Sequence, residues 1–308
     1  MQPSAQLLEQ LNTTYSITFD SLAFLREGGC RSYLAADGTQ RYFLKEVPPV
    51  FWDTIKQSLD ILVYLAGKGL SVPPVLLGNG GLPYLEMKRE EERQLYALFG
   101  YVEGREPEEG EELEEIGRLI GKLHAAMEGY PNKLTERGKP FFIERYLSIL
   151  EKKNISESKL AQFREYGNAL WERVKDLPRG YCHGDLHRGN LLRTDDGNHV
   201  VLDFDTSCTA YASFDVMTFC DHTNYFQYEP EGYARTMEAL ERFLQGYTRE
   251  RAFTDEEYRA IPDWIAIRHY QLQATIIEVF GLDCVDEAFV EEQLEWLLSW
   301  REQCSRSR

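Results

Sequence analysis

The sequence has few cysteines, and no two of them are closely spaced. The six cysteines are scattered along 308 residues, and none has the C-x-x-C spacing typical of zinc sites and redox motifs. We therefore expect neither a zinc site nor a disulfide framework. Scattered thiols are typical of proteins in a reducing compartment, so the sequence predicts a cytoplasmic protein.

Positive charge is also scarce. Lys and Arg number 34 against 51 Asp and Glu, which gives a formal net charge of −17. Proteins that bind nucleic acid neutralise backbone phosphates with clustered Lys and Arg, so this composition predicts no nucleic-acid partner. The same deficit argues against binding to anionic membranes, whereas a cationic substrate is compatible with it.

Long hydrophobic runs are missing as well. Residues 69–85 form the longest uncharged stretch of apolar character, and Pro73, Pro74 and the glycines at 80 and 81 interrupt it. Such a stretch cannot form a membrane-spanning helix. The N-terminal residues lack the basic and apolar regions of a signal peptide, so we expect neither membrane attachment nor secretion.

The first third of the chain is rich in β-type patterns, and the remainder is mainly helical. An antiparallel meander is predicted with Gly28-Gly29 and Asp37-Gly38 as turns and with strands at residues 15–19, 23–26, 31–35 and 40–46. Later strand-like runs cover residues 71–78, 83–87 and 94–102. Apolar periodicity predicts helices at residues 2–12, 53–68, 116–127, 141–153, 158–175, 231–249, 255–280 and 286–303.

Residues 182–205, CHGDLHRGNLLRTDDGNHVVLDFD, carry the clearest chemical pattern. They contain H-x-D-x-x-x-x-N as His183, Asp185 and Asn190, and Asp203 follows Asn190 after thirteen residues. This order and separation match a kinase catalytic loop and its metal-binding partner. The pattern predicts phosphoryl transfer from ATP, with Asp185 as the general base and Asn190 and Asp203 as Mg²⁺ ligands.

Neighbouring residues receive less definite roles. His183 is expected to be a buried hydrogen-bonding support, and His187 and Arg188 either reach phosphate or face solvent. Asp205 is a candidate metal ligand or substrate contact, and it points the same way as Asp203 if the strand continues. Upstream, Lys45 lies in the apolar run YFLKEV, and together with the downstream loop it is expected to bind the α- and β-phosphates.

These features predict an α+β protein with two lobes. We expect an N-terminal nucleotide-binding lobe at residues 1–101, built from an antiparallel β-sheet and one main helix. A hinge is expected at residues 102–107. Residues 108–308 would form a larger, mainly helical lobe that carries the catalytic and acceptor-binding groups.

The motifs HGDLHRGNLL, LDFD, YLAGKGLSVPPVL and LFGYVEGREP resemble those of the aminoglycoside phosphotransferase and choline kinase-like family. The resemblance implies a protein-kinase-like fold and MgATP-dependent phosphorylation of a hydroxyl on a small molecule. It makes Phe99 the residue behind the adenine, and it gives the backbones of Gly100 and Val102 the adenine's hydrogen-bonding edge. Asp215, in SFDVMTF, becomes the residue that supports the catalytic loop.

One position departs from the family pattern. The family usually has a helix glutamate that pairs with the phosphate-binding lysine, and the alignment of YLAGKGL puts Ser58 at that place. Asp60 lies two residues further on and would face elsewhere on an ideal helix. Lys45 is therefore oriented by Asp60 or by another acid, or it has no acidic partner.

The acceptor should be recognised by the last hundred residues. Acidic and aromatic side chains there would suit an amine-bearing sugar or an amino alcohol, through charge pairing and cation–π contact. The resemblance to the family adds homoserine and methylthioribose as further acceptors. The candidate pocket residues are Asp221, His222, Tyr225, Trp264, His269 and Glu278. Aromatic residues at helical spacing are more often part of a core, so each candidate has a purely structural alternative.

Alternative functions stay open at this point. Asp205 and Asp215 are close in the chain, and no A-P-E segment of the kind that docks peptides follows, which favours a small acceptor over a protein. A protein Ser/Thr kinase of the stress-kinase type is nevertheless an alternative. A second alternative, prompted by Ser58, is a catalytically weak nucleotide-binding protein of the spore-coat type.

Overall fold

The computed structural model describes residues 5–27, 30–89 and 92–307, so the predicted Gly28-Gly29 turn lies outside the described residues. The strands, numbered along the chain, are β1 (Ser21–Glu27), β2 (Arg31–Ala36), β3 (Arg41–Val47), β4 (Leu85–Arg89), β5 (Glu92–Gly100), β6 (Gly180–Cys182), β7 (Leu191–Arg193), β8 (His199–Val201) and β9 (Cys208–Ala210). The α-helices are α1 (Ala5–Thr14), α2 (Trp52–Gly67), α3 (Leu113–Met127), α4 (Arg145–Lys152), α5 (Glu157–Val174), α6 (Ala212–Cys220), α7 (Glu231–Tyr247), α8 (Asp255–Phe280) and α9 (Glu287–Ser307).

The chain divides into two compact units. The first unit comprises Met1–Glu109, Gly129–Asn132 and Arg188–Ser207, and the second comprises Gly110–Glu128, Lys133–His187 and Cys208–Arg308. The α+β class predicted from the sequence is confirmed. The lobe boundary predicted at residues 102–107 stays a prediction.

In the first unit, five antiparallel strands form a sheet in the order β1-β2-β3-β5-β4. Helix α1 packs on one face of this sheet, where Leu7 and Leu11 join a core that includes Leu44 and Leu98. Side chains alternate between the two faces of a strand, so Lys45 projects from the face opposite Leu44.

The strand predicted at residues 15–19 is wrong. Asn12 accepts a hydrogen bond from the backbone N–H of Phe19 (2.7 Å) and donates one to its carbonyl (3.1 Å). These bonds occupy the backbone groups that a strand would need for pairing. The apolar side chains that suggested a strand, Tyr15 and Phe19, are instead buried in the core beside α1.

The run predicted as a strand at residues 71–78 forms only an isolated bridge, between Val75 and Phe99. Pro73 and Pro74 lack the N–H groups that a ladder requires, which accounts for the difference.

In the second unit, α6 lies at the centre of the helical core. Every residue of α6 from Ala212 to Cys220 is buried. Around it, α8 begins with a capping box in which Thr254 and Glu257 exchange hydrogen bonds with each other's backbone. The helices predicted at 231–249, 255–280 and 286–303 are confirmed as α7, α8 and α9. No helix in the described ranges is long and apolar enough to cross a membrane.

Helices α3 and α7 approach each other closely through glycines. A Cβ atom at Gly246 would lie 1.8 Å from the carbonyl oxygen of Glu114, and one at Gly117 would lie 2.0 Å from that of Phe243. No side chain can fit at such distances without separating the helices. The spacing of these helices is therefore set by backbone contact.

We predict that Gly246→Ala lowers the free energy of unfolding by about 3 kcal/mol, because the added methyl group forces α3 away from α7. Chemical denaturation of the whole protein measures this change. Gly180→Ala is the matched control, because a Cβ atom at Gly180 would meet no heavy atom within 4 Å. Equal stability of the two variants would contradict the backbone-contact interpretation.

Candidate active site

The segment that carries Asp185 follows β6 in the second unit. Gly184 has φ +84°, a left-handed conformation that residues with a side chain rarely adopt. The chain can therefore turn sharply between His183 and Asp185. This turn requires the glycine of the HGD motif.

A buried carboxylate fixes that turn. Asp215 on α6 is fully buried, and it accepts hydrogen bonds from the backbone N–H groups of His183 (2.5 Å) and Gly184 (2.9 Å). The Cys182 thiol donates to the same carboxylate at 3.2 Å. Burial raises the pKa of Asp215, but hydrogen bonds and nearby positive charge outweigh it, so the pKa is lowered and the carboxylate stays ionised.

His124 supports the same carboxylate. Its Nε2 atom lies 3.1 Å from Asp215, and its Nδ1 atom lies 2.8 Å from the hydroxyl of Tyr247 on α7. The imidazole thus donates to the ionised carboxylate from Nε2, and its Nδ1 atom shares a hydrogen bond with the tyrosine hydroxyl. The lone helix histidine is structural, and it links α3 and α7 to the turn.

The Asp185 carboxylate is accessible and ionised. Its side chain is 45% exposed, and its Oδ2 atom lies 3.6 Å from Nε2 of His187. Burial raises the pKa of Asp185, but the contact with His187 and the charges of His187, Arg268 and His183 outweigh it, so the pKa is lowered. The group can accept a proton at neutral pH.

Asn190 and Asp203 lie in the first unit, where a hairpin brings them together. Strands β7 and β8 pair with Leu191 opposite Val201, and the Leu202 N–H donates to the Asn190 carbonyl at 2.8 Å. The backbones of Asn190 and Asp203 therefore lie close together at the open end of this hairpin. The Asp203 side chain is 53% exposed.

Lys45 pairs with acids of the same unit. Its Nζ atom forms an ion pair with Asp205 and lies 3.5 Å from Oδ1 of Asp203. Burial lowers the pKa of Lys45, but these two carboxylates outweigh it, so the pKa is raised and the ammonium group stays charged.

Asp203 and Asp205 do not share one face of a continuing strand. The strand does not continue through these residues, because Asp203 has φ +55° and a 3-10 turn at Phe204–Thr206 follows. Both acids nevertheless contact Lys45, since the tight turn aims them at the same ammonium group.

Helix α2 supplies no acid to Lys45 in the described structure. Ser58 is buried, and Asp60 is exposed and acts electrostatically on Tyr130. The helix instead contacts the turn through Gln57, whose Nε2 atom donates to the Ser207 carbonyl at 2.8 Å. Of the options left open by the sequence, the structure shows a partner other than Asp60.

The residues predicted to hold adenine also lie in the first unit. Phe99 is buried on β5, opposite Phe43 of β3, and β5 ends at Gly100. The Gly100 N–H donates to the Pro74 carbonyl at 2.8 Å. In the part of the chain that the structure describes, the Val102 N–H has no hydrogen-bond acceptor.

Of the predicted acceptor residues, Asp221 and Tyr225 lie together in the second unit. The Tyr225 hydroxyl donates to Asp221, and the Thr223 N–H donates to the same carboxylate at 2.9 Å. Burial raises the pKa of Asp221 despite these hydrogen bonds. The neighbouring His222 is partly buried, and its N–H donates to Thr236 at 3.0 Å.

The other three acceptor candidates do not bond to the Asp221 carboxylate in the described structure, and each contacts other protein groups. Trp264 is fully buried and donates from Nε1 to Ser213 at 3.0 Å. His269 is fully buried against Trp296, and burial lowers its pKa to about 3. Glu278 lies near the end of α8 and pairs with Arg145 at 3.3 Å.

The sequence interpretation missed Arg268. This residue is partly buried on α8, and its Nη1 atom donates to Thr218 on α6 at 3.1 Å. The available signal was a single cation within the otherwise uncharged run WIAIRHYQLQ. A strongly apolar helix rarely carries a cation without a partner or a function.

The fold and these side chains define a class of protein. A sheet with a paired lysine, a hairpin that carries an asparagine and an aspartate at its open end, and a helix-anchored turn with an exposed aspartate are the parts of a protein-kinase-like phosphotransferase. The family comparison agrees, because the model of the phosphotransferase enzyme family matches residues 26–256. The chain belongs to this family, and it is an ATP-dependent kinase with an alcohol group as the acceptor.

Known relatives and structures are consistent with this assignment. The homoserine kinase of Agrobacterium fabrum is 29% identical over 213 residues, 66% of this chain and 62% of that protein. The amicoumacin kinase of Bacillus subtilis is 24% identical over 329 residues, 96% of this chain and 90% of that protein. A solved amicoumacin kinase in complex with AMP-PNP, Ca²⁺ and Ami has a TM-score of 0.75 at 20% identity, covering 97% of this chain and 93% of that one. The predicted kinase-like fold is confirmed.

We predict that Asp215→Asn lowers the free energy of unfolding by about 3 kcal/mol, because it removes a buried charge that several donors share. The amide also turns an N–H₂ group towards backbone donors. Equilibrium denaturation at neutral pH measures the loss, and Asp176→Asn, at an exposed aspartate, is the control.

The pH dependence of that loss is a second readout. Because the pKa of Asp215 is lowered in the folded protein, its contribution is complete above the unfolded pKa of about 3.9 and disappears as the pH falls through the folded value. The two proteins should therefore differ most near neutral pH. A difference that grows in acid would contradict the assignment of an ionised anchor.

Proposed function

We propose that this enzyme transfers the γ-phosphoryl group of MgATP to a hydroxyl of a small molecule that also carries an amine, with Asp185 as the general base. The observation that carries the proposal is the turn anchored by Asp215, which holds the ionised and half-exposed Asp185 carboxylate. The names of the relatives, homoserine kinase and amicoumacin kinase, support a small hydroxylated acceptor.

The donor set of the hairpin fits Mg²⁺. Asn190 and Asp203 offer hard oxygen atoms, which Mg²⁺ prefers, and the pairing of the hairpin brings their backbones close together. The described residues hold no cluster of three or more His, Cys, Asp or Glu side chains that could bind a metal. This agrees with Mg²⁺, which is usually held by one or two carboxylates together with substrate phosphates. When bound, the ion neutralises charge on the phosphates.

The remaining nucleotide contacts would come from the first unit. Lys45 would exchange its carboxylate partners for α- and β-phosphate oxygens, since its ammonium group stays charged. Asp205, released from the lysine, is then available as a further ligand or as a substrate contact. Phe99 would lie behind the adenine, with the Gly100 carbonyl and the uncommitted Val102 N–H at its polar edge.

Asp185 would act on the acceptor hydroxyl. The hydroxyl oxygen bonds to the γ-phosphorus, the bond from that phosphorus to the β–γ bridging oxygen breaks, and ADP leaves. Asp185 orients the hydroxyl and takes its proton late, because the transition state is loose and positioning dominates. His183 supports the turn through its backbone, and His187 lowers the pKa of the Asp185 carboxyl.

The amine of the acceptor would be recognised in the second unit. Asp221 offers a carboxylate beside the Tyr225 ring, a combination that suits an ammonium group through charge and cation–π attraction. Because burial raises the pKa of Asp221, an arriving cation would stabilise its ionised form. The buried positions of Trp264 and His269 support structural roles for both.

The main test is turnover of MgATP with a panel of amino sugars, homoserine, choline and methylthioribose. We predict that Asp185→Asn lowers kcat by about 100- to 10,000-fold with any accepted substrate, the range typical of a general base. Asp195→Asn, at an exposed aspartate of the β7–β8 turn, is the matched control. Wild-type turnover by Asp185→Asn, or no Mg²⁺-dependent ATP binding at all, would contradict the proposal.

A pH profile tests how His187 acts. The hydrogen bond and the charge of His187 lower the pKa of the Asp185 carboxyl. We predict that His187→Gln raises the pKa of Asp185 and moves the acidic limb of kcat/KM to higher pH. His187→Lys restores a positive charge and should keep the limb near its wild-type position. An unmoved limb in His187→Gln would contradict this role.

A further inference from the structure

Arg268 is a cation that the fold leaves incompletely paired. Its guanidinium donates to the Thr218 hydroxyl at 3.1 Å, and within the described ranges no Asp or Glu side chain lies at ion-pair distance from it. A partly buried guanidinium that has no direct ion pair is costly, because it has lost part of its hydration. Most of its N–H donors are also uncommitted.

Other arginines of the second unit use such donors for structure. Arg173 pairs with Asp263 on α8 at 3.0 Å, and Arg145 pairs with Glu278 on the same helix at 3.3 Å. The contrast indicates that Arg268 is not part of an ion-pair network within the helical core. Its donors are available to a group that is not part of the protein.

Helix α6 connects Arg268 to the proposed chemistry. Asp215 and Thr218 lie three residues apart on α6, so their side chains are neighbours on its surface, and Asp221 directly follows the last residue of the helix. The first fixes the backbone next to Asp185, the second holds Arg268, and the third ends the helix beside Tyr225.

The electrostatic contacts agree with this placement. The charge of Arg268 lowers the pKa of Asp185, of Asp221 and of the Tyr225 hydroxyl, and in each of the three groups burial and other neighbours have larger effects. One guanidinium is therefore within electrostatic reach of both the proposed base and the proposed amine site.

We infer that Arg268 binds a carboxylate of the acceptor, so that the acceptor is a hydroxylated α-amino acid or a derivative with its ammonium group at Asp221. This inference rests on the proposed function. A guanidinium presents parallel N–H donors that match the two oxygens of a carboxylate. The phosphate-binding Lys45 belongs to the first unit, whereas Arg268 belongs to the second unit, with the acceptor candidates Asp221 and Tyr225.

Matched acceptor pairs test the inference directly. Homoserine and 3-aminopropan-1-ol differ only in the carboxylate, as do threonine and 1-aminopropan-2-ol. We predict that the wild-type enzyme prefers the amino acid of at least one pair by about 10- to 100-fold in kcat/KM, the value of a charge-assisted hydrogen-bonded pair. Arg268→Met should remove the preference, and Arg268→Lys should retain part of it, because it keeps the charge but loses the planar fork.

The control is Arg259→Met, an exposed arginine on the same helix, which should keep the wild-type preference. Thermal unfolding of each variant reports whether the fold persists. The ratio within a pair is informative even for a weakened enzyme, since a general loss of structure lowers both members alike.

Three outcomes would overturn the inference. The first is equal use of both members of each pair by the wild-type enzyme. The second is an equal loss for both members in Arg268→Met, which would mark a structural or phosphoryl-binding role. The third is the absence of turnover and of calorimetric binding for both amino acids. Turnover of an amine without a carboxylate, abolished by Asp185→Asn, would leave the phosphotransferase proposal intact while the inference failed.

Discussion

The buried carboxylate of Asp215 is the interaction on which the candidate site depends. A carboxylate in a protein interior is stable only when donors surround it, and here the donors are the backbone N–H groups of His183 and Gly184, the Cys182 thiol and His124. The stabilisation is mutual. The donors stabilise the buried carboxylate, and the carboxylate stabilises the conformation of the glycine turn that precedes Asp185.

In the first unit the charged group is a cation, Lys45, which needs anionic partners. A cation on the sheet face opposite the core needs carboxylates, and a tight turn at residues 203–205 supplies them from a hairpin that is distant in sequence. Nucleotide phosphates carry the same sign of charge as these carboxylates. The lysine can therefore change partners without becoming uncharged, and the acids that it releases are oxygen ligands suited to a metal ion.

The sequence was sufficient to predict those features that depend on local patterns of residues. Apolar periodicity predicted α7, α8 and α9, and the spacing of Asp185, Asn190 and Asp203 predicted the chemical class. It was insufficient where tertiary contacts decide. Residues 15–19 have a strand-like pattern, but Asn12 forms hydrogen bonds with the backbone groups of Phe19. The acids that pair with Lys45 could not be identified from the sequence, because they come from a turn with φ +55° rather than from α2. The glycine contacts of α3 and α7 are likewise visible only in three dimensions.

The sequence pattern did not predict a role for Arg268, for a related physical reason. Helix α8 is apolar on most of its surface, so its pattern predicts a core helix, and one cation does not change that pattern. The position of Arg268 matters because its guanidinium is bonded to Thr218 on α6. Every residue of α6 is buried, so this helix cannot shift without disturbing the core. Asp215 and Thr218 are fixed on this one rigid element, and Asp221 directly follows it. The distance between the turn that carries the proposed base and the groups that would bind the acceptor is thereby constrained as well. A hydroxyl at the wrong distance from its own amine or carboxylate would then bind without reaching Asp185, and specificity would follow from the spacing along α6.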